Sequence, residues 1–184
     1  MRILKHFLLA IFGVIFLSST SCENDYNDAN VKTLYISDLI NIETQSNYNL
    51  NDVLYINSLF SRYLPEAGYS TLLDIYKTTG SDKYTFNFSL EKKSAYNTWS
   101  NLDVSTSIII DKGEIYGNRA ICVLNNTTNQ YEFRAGIPLL EAGQYRISIE
   151  PYLNQYSYSN IVNVYIRTTV NDLDSEGYYN FTVN

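Results

Sequence analysis

From residue 31 onward, apolar and polar positions alternate with period two, the spacing that sends successive side chains to opposite faces of a pleated strand. Tyr84, Phe86, Phe88 and Leu90 fall on one face, and Thr85, Asn87 and Ser89 on the other. Tyr145, Ile147 and Ile149 alternate with Arg146, Ser148 and Glu150 in the same way, as do Val162, Val164 and Ile166 with Asn163, Tyr165 and Arg167. Each of these three segments reads as a half-buried strand. Further runs predict strands near 33–40, 52–60, 71–77, 104–111, 115–124, 131–137 and 179–183, separated by turn-forming clusters such as Thr79-Gly80-Ser81-Asp82 and residues 125–129. The stretch 57–64 places Phe60 and Leu64 four apart ahead of Pro65, and reads either as a short helix or as the tail of the 52–60 strand. About ten strands with short polar turns, no low-complexity linker and no repeat predict one all-β domain over residues 33–184. The expected architecture is a single antiparallel β-sandwich.

The first 21 residues follow a different rule. Arg2, Lys5 and His6 precede an apolar run over residues 7–17, and Ser18, Ser19, Thr20, Ser21 and Cys22 follow it, the order of a secretory signal. The run is too short for a bilayer span of about 20 residues. A Cys directly behind small residues resembles the lipobox of bacterial lipoproteins. That resemblance implies cleavage before Cys22, diacylation of its thiol, and attachment of the mature chain to a lipid bilayer through acylated Cys22. Ser19 stands where the lipobox favours Leu, so ordinary cleavage that leaves a plain thiol is the alternative. Residues 22–32 then form the lipidated Cys and a flexible acidic tether, because Glu23, Asn24, Asp25, Tyr26, Asn27 and Asp28 carry no apolar periodicity to offset chain entropy. Such an acidic cluster is also similar to the export signal of Bacteroidota lipoproteins, which implies an outer-membrane anchor with the domain facing the cell exterior. A solvated spacer is the other reading.

Leu139, Gly143 and Tyr145 hold the spacing of a tyrosine corner, with Leu six residues and Gly two residues ahead of the Tyr. Together with the strands around them, they resemble the late strands of fibronectin type III and immunoglobulin-like sandwiches. The resemblance covers about 30 residues. It implies a Tyr145 ring packed on the core, with its hydroxyl bonded to nearby backbone. A strand after Arg167 departs from that family's usual ending. As a whole, the chain resembles the uncharacterised surface lipoproteins of gut Bacteroidota, a likeness that implies a location and no activity.

Composition narrows the chemistry. The only His of the 184 residues is His6, inside the removable segment, so a mature chain has no imidazole for a Ser-His-Asp or Cys-His mechanism or for zinc. Thirteen basic groups against 19 acidic ones give a net charge of −6, and loss of Arg2 and Lys5 with the signal makes it −8. Nucleic acid is excluded as a partner on that balance. With Cys22 lipidated, Cys122 has no partner for a disulfide, and its place in Ala120-Ile121-Cys122-Val123-Leu124 reads as a small buried hydrophobe on a strand. Asp172, Asp174 and Glu176 ahead of Gly177 have the alternate spacing of the first half of a calcium loop. Val183 stands where the bidentate Glu would be needed, so a polar turn is the preferred reading. Glu132, Glu141, Glu150, Asp103, Asp111 and Glu114 could supply a glycosidase pair, but no spacing selects two of them. No phosphate-binding, nucleophile-elbow or redox motif is present, and no cofactor is expected.

The positive anomaly is aromatic, with 18 Tyr in a chain that is 15% aromatic. Tyr96 and Trp99 lie in the polar stretch 94–101, and Tyr152, Tyr156 and Tyr158 lie in the polar loop expected over 151–160 beside Asn154, Gln155 and Asn160, so Trp99 and Tyr156 are expected on loops. Flat apolar rings beside directional amides suit sugar rings or protein partners, while ordinary packing and loop cover is the plainer reading. The expected function is a non-catalytic surface lipoprotein that binds a glycan or an outer-membrane protein partner. The alternatives are a carboxylate-dependent carbohydrate-active enzyme and a purely structural or adhesive subunit.

Overall fold

A computed structural model describes residues 30–157 and 162–184; the expected signal segment, Cys22, the expected tether up to residue 29 and Tyr158 lie outside them. In chain order the first strands are β1 (Asn30–Tyr35), β2 (Ile40–Glu43), β3 (Val53–Ser61), β4 (Tyr63–Leu64) and β5 (Leu73–Asp74), followed by the short helix α1 (Ile75–Thr79). Next come β6 (Lys83–Lys93), β7 (Trp99–Asn101), β8 (Ile109–Lys112), β9 (Glu114–Tyr116) and β10 (Arg119–Asn125). The last are β11 (Gln130–Pro138), β12 (Gly143–Ile149), β13 (Tyr152–Gln155), β14 (Val162–Arg167) and β15 (Tyr178–Val183).

The protein is nearly all β; among the described residues thirteen strands form one curled, mostly antiparallel sheet, and β4 and β5 pair apart from it. Alternation makes β6 the spine. It buries Tyr84, Phe86, Phe88 and Leu90 and turns Asn87, Ser89 and Glu91 outward. The first half of β6 pairs with β10 along one edge and β13 along the other, while its second half pairs with β7 and β12. β12 and β13 follow one another along β6, both antiparallel to it, and the register shifts by two residues across Glu150 and Pro151, where the sheet divides. Outward from β13 lie β14 and, parallel to it, β1; outward from β12 lies β15. Outward from β10 lie β11, β3 and β2. The sheet curls far enough that Ile40 bridges Val170 and Tyr48 bridges Val183.

Inside the curl, aromatic rings fill the two halves. Phe60 stacks on Tyr131 with centroids 5.0 Å apart, and Tyr84 meets Tyr131 edge-on at 5.1 Å. In the other half, Phe181 lies between Tyr48 and Tyr145 at 4.9 and 5.5 Å. Such ring pairs add to the free energy of their burial. Tyr145 is buried, and its hydroxyl donates to the Glu141 carbonyl at 2.7 Å, while Leu139 is buried ahead of it. The corner expected from the Leu-Gly-Tyr spacing is therefore formed locally. Cys122 is a buried free thiol on β10, and burial pushes its pKa up to about 12. At neutral pH it remains protonated, as the hydrophobe reading expects.

Several elements differ from the periodicity. Residues 57–64 form no helix, because β3 runs through Ser61 and its inward residues Leu54, Ile56, Ser58 and Phe60 keep period two. The helix lies instead at Ile75–Thr79, inside the run expected as a strand, with Asp74 Oδ1 accepting from the Lys77 amide and Gly80 closing the end at φ +71°. The 33–40 run divides into β1 and β2 around Asp38, whose φ is +59°. The loop expected over 151–160 contains a strand, β13, and the polar stretch 94–101 ends in another, β7. β1 pairs with β14 from Asn30 onward, so pairing reaches into the segment assigned to the tether.

One glycine is set by a close approach. β10 and β11 separate beyond Val123 and Glu132, and the reversal from β8 to β9 enters the gap, with β8 pairing with β11 and β9 with β10. Gly113 is its apex at φ +77°, and a Cβ there would lie 2.5 Å from the Ile121 carbonyl oxygen and 3.0 Å from that of Glu132. Gly117 also has a positive φ, but its missing Cβ would meet nothing within 4 Å. Gly113→Ala should therefore lower stability by about 2–4 kcal/mol and Gly117→Ala by about 1 kcal/mol. Paired urea denaturation curves measure the difference, and equal costs would remove the wedge explanation.

Candidate functional site

The aromatic residues singled out from the sequence occupy two separate surfaces. Tyr96 stands at the tip of the β6–β7 hairpin and is 90% exposed. Trp99 is not on a loop: it opens β7 opposite Lys93, and the Arg146 guanidinium lies 4.6 Å from its ring and 4.0 Å from that of Tyr178. Glu91 holds the same guanidinium by an ion pair. Trp99 thus covers a paired, mostly buried arginine, which makes its role there one of packing.

Tyr152 and Tyr156 belong to the other surface. The alternation of β13 turns Leu153 and Gln155 inward and Tyr152, Asn154 and Tyr156 outward. From Thr85, which pairs with Asn154, to Lys93, which pairs with Trp99, β6 advances eight residues, or roughly 26 Å. The two aromatic sets therefore cannot hold one small ligand between them.

Register builds the outer face around Tyr152. Arg167 pairs with Tyr152 on one side and Tyr35 on the other, and Tyr165 pairs with Asn154 and Thr33. Two cross-strand rows result, Tyr35–Arg167–Tyr152 and Thr33–Tyr165–Asn154, on alternate positions of three adjacent strands. Thr33, Pro151, Tyr152, Asn154, Tyr165 and Arg167 line an open depression of about 620 Å³. A second, of about 320 Å³, is lined by residues 35–37 and 167–169, so Arg167 borders both. Asn154 Oδ1 is buried and accepts no hydrogen bond, the one amide oxygen so placed among the described residues. Glu150 beside the Tyr152 hydroxyl, together with partial burial, raises that phenol's pKa and keeps it a donor.

Beside this face, a buried amide pair fixes the strands. Gln155 Oε1 accepts from the Val164 amide at 3.0 Å, and its Nε2 donates to the Ser157 carbonyl at 2.9 Å and to Asn163 Oδ1. Both amides are buried, so the cost of leaving either unpaired enforces the β13–β14 register. Tyr35, Tyr165, Arg167 and Thr33 were not among the candidates from sequence. The outward phase of Tyr165 and Arg167 is legible from the alternation of β14, whereas their neighbours Thr33 and Tyr35 on β1 depend on register.

The remaining candidates resolve locally. Asp174 Oδ1 accepts from the amides of Glu176 and Tyr178 at 2.9 and 3.0 Å, and Oδ2 accepts from Asn180 Nδ2 at 2.7 Å. Those bonds close the turn before β15, in line with the polar-turn reading of Asp172, Asp174 and Glu176. No group of three or more His, Cys, Asp or Glu among the described residues is arranged to hold a metal ion. Away from the depression, other arginines combine rings with carboxylates. Arg134 lies 3.8 Å from the Tyr55 ring and donates to both oxygens of Glu43 at 2.8 Å, besides pairing with Asp111. Arg62 donates to both oxygens of Asp74 at 2.7 and 2.6 Å beside Tyr63 and Tyr76. The arginines hold the Glu43 and Asp74 carboxyls below their ordinary pKa values.

No protein-family model matches the chain, and no curated protein matches it.

Trp99→Ala should lower stability by about 1–3 kcal/mol, since it uncovers the Arg146–Glu91 pair as well as removing ring contacts. Tyr96→Ala should leave the melting temperature within about a degree of the parent, because the ring packs on little. Thermal unfolding of both variants checks this, and an unchanged Trp99→Ala melt would return that ring to the candidate ligand surface.

Proposed function

We propose that this chain is a lipid-anchored outer-membrane protein, facing the cell exterior, whose domain is a non-catalytic saccharide-binding module. In this reading it belongs with the Bacteroidota surface lipoproteins, and the curled sheet is a β-sandwich of immunoglobulin or fibronectin type III kind. The Tyr145 corner and the long strand shared by both halves support that kinship. The secretory order of residues 1–22 and the acidic cluster behind Cys22 support the anchorage.

The observation that carries the binding role is the depression that Tyr152 and Tyr165 line together with Thr33 and Arg167. A sugar presents apolar C–H faces to aromatic rings and hydroxyls to polar side chains, so this set answers both sides of its chemistry. The ring faces sit on paired strands, and little entropy is lost on ordering them. At this face hydrolysis is less well supported, because neither depression is lined by a carboxyl group and glycosidases use two; a separate pocket of about 220 Å³ does bring Asp103 and Glu141 together, with Glu141 already paired to Lys92.

Replacing Cys22 by Ala should move the protein from the membrane to the soluble fraction or leave it unprocessed, as fractionation and mass spectrometry of the N-terminus would show. An unmodified mature Cys22 in the parent protein would refute the anchor. Binding is tested by affinity electrophoresis of the purified protein through a panel of neutral and acidic polysaccharides. At least one should retard it without being degraded, and Tyr152→Ala or Tyr165→Ala should each weaken that retention by about 5- to 100-fold. Tyr96→Ala should not. Retention lost only with Tyr96 would move the site to the hairpin.

A further inference from the structure

Aromatic-stacked arginines recur in this molecule, and three of them share one arrangement. Arg62 lies against Tyr63 and Tyr76 and is clamped by Asp74; Arg134 lies against Tyr55 and is clamped by Glu43 and Asp111; Arg146 lies between Trp99 and Tyr178 and is clamped by Glu91. A guanidinium presents a face to rings and an edge of parallel N–H donors to a carboxylate, and in these three both are used.

Arg167 is the fourth. Its guanidinium lies 5.9 Å from the Tyr35 ring, yet no carboxylate among the described residues comes within ion-pair distance of it. Lys77, Lys93 and Arg119 also lack an ion pair among the described residues, but of the arginines that lie against rings Arg167 alone does so. Its position gives the exception a use. Arg167 is the residue common to the two depressions, with Tyr152 and Tyr165 to one side and Tyr35 and Thr169 to the other. A chain of sugar units crossing from one depression to the other would pass over its donors.

We propose that the ligand of this groove is an acidic oligosaccharide bearing uronate carboxylates, and that one carboxylate occupies beside Arg167 the place that Asp74, Glu43 and Glu91 occupy beside the other arginines. This assignment rests on the saccharide-binding reading and specifies its substrate class. A carboxylate matches the planar fork bidentately, which gives the site a means of separating a uronate from a neutral sugar of the same outline. The acids next to the groove in sequence have partners of their own: Glu150 accepts from Asn87 Nδ2 at 2.7 Å, and Asp38 from the Thr169 hydroxyl at 2.7 Å.

The test uses the purified protein against three uronate polymers of different linkage (polygalacturonate, alginate and hyaluronate), the methyl ester of each, dextran sulfate, and a neutral polysaccharide panel. At least one uronate polymer should bind, its methyl ester should bind at least tenfold more weakly, and dextran sulfate should not replace it. Arg167→Gln should lose about tenfold or more in affinity for that polymer. Arg167→Lys, which keeps the charge without the fork, should recover only part of it. Both variants should melt as the parent does, since Arg167 is exposed and bears no ion pair among the described residues. Binding that ignores methyl esterification, that dextran sulfate matches, that persists in Arg167→Gln, or that is confined to neutral polymers overturns the uronate assignment and leaves saccharide binding standing. If no polysaccharide of any kind binds, both readings fail.

Discussion

The structure depends on one strand that serves two halves of the sheet. Each edge of β6 is divided between two partners, β10 and β7 on one side and β13 and β12 on the other. Every inward residue from Tyr84 to Leu90 therefore packs in a core whose walls come from both halves. The two aromatic clusters, around Tyr131 and around Phe181, lie to either side of this spine. Separating the halves would require breaking β6 in its middle, where Phe88 donates its amide to the Asn118 carbonyl and pairs with Ile149. Curling follows from the same arrangement, since a sheet that divides around a shared strand brings its far edges together, as the Ile40–Val170 and Tyr48–Val183 bridges record.

The groove inherits its rigidity from that spine. β13 is only four residues long, and by itself it would be a weak platform. It is held by β6 on one side and β14 on the other, and the buried Gln155 amide ties its end to Asn163 and Val164. A slip of one residue would expose Leu153, bury Tyr152 and unpair both amides, so register is strongly specified. Tyr152, Arg167 and Tyr35 are thereby placed in one row with no loop closure needed to assemble them.

Much of this was legible in the residue pattern, and the parts that were not have physical reasons. β6, β12 and β14 announce themselves because their inward positions are all apolar or nearly so. β13 is hidden because Gln155 points inward, and a polar residue at an inward position reads as a break until its partner Asn163 is known. The helix at Ile75–Thr79 carries a capping Asp74 and a terminal Gly80, yet five residues are too few to show a helical period. Tyr152 and Tyr156 were legible as candidates by composition, whereas the hairpin's Trp99 was misplaced because nothing near it in sequence reveals Arg146 and Tyr178 across the sheet. Arg167 could be assigned an outward phase, but its lack of a carboxylate is a property of register and of how the other acids are already engaged.

The central claim is that the β1–β14–β13 face, and no other aromatic surface, is the binding surface. Backbone and Tyr side-chain NMR shifts, recorded while a uronate oligosaccharide is titrated into the protein, test it most directly. The account predicts saturable perturbations at Thr33, Tyr35, Tyr152, Asn154, Tyr165 and Arg167, with the β6–β7 hairpin around Tyr96 and Trp99 unmoved. Perturbations centred on that hairpin, with the Tyr152 and Arg167 resonances unchanged at saturation, would contradict it.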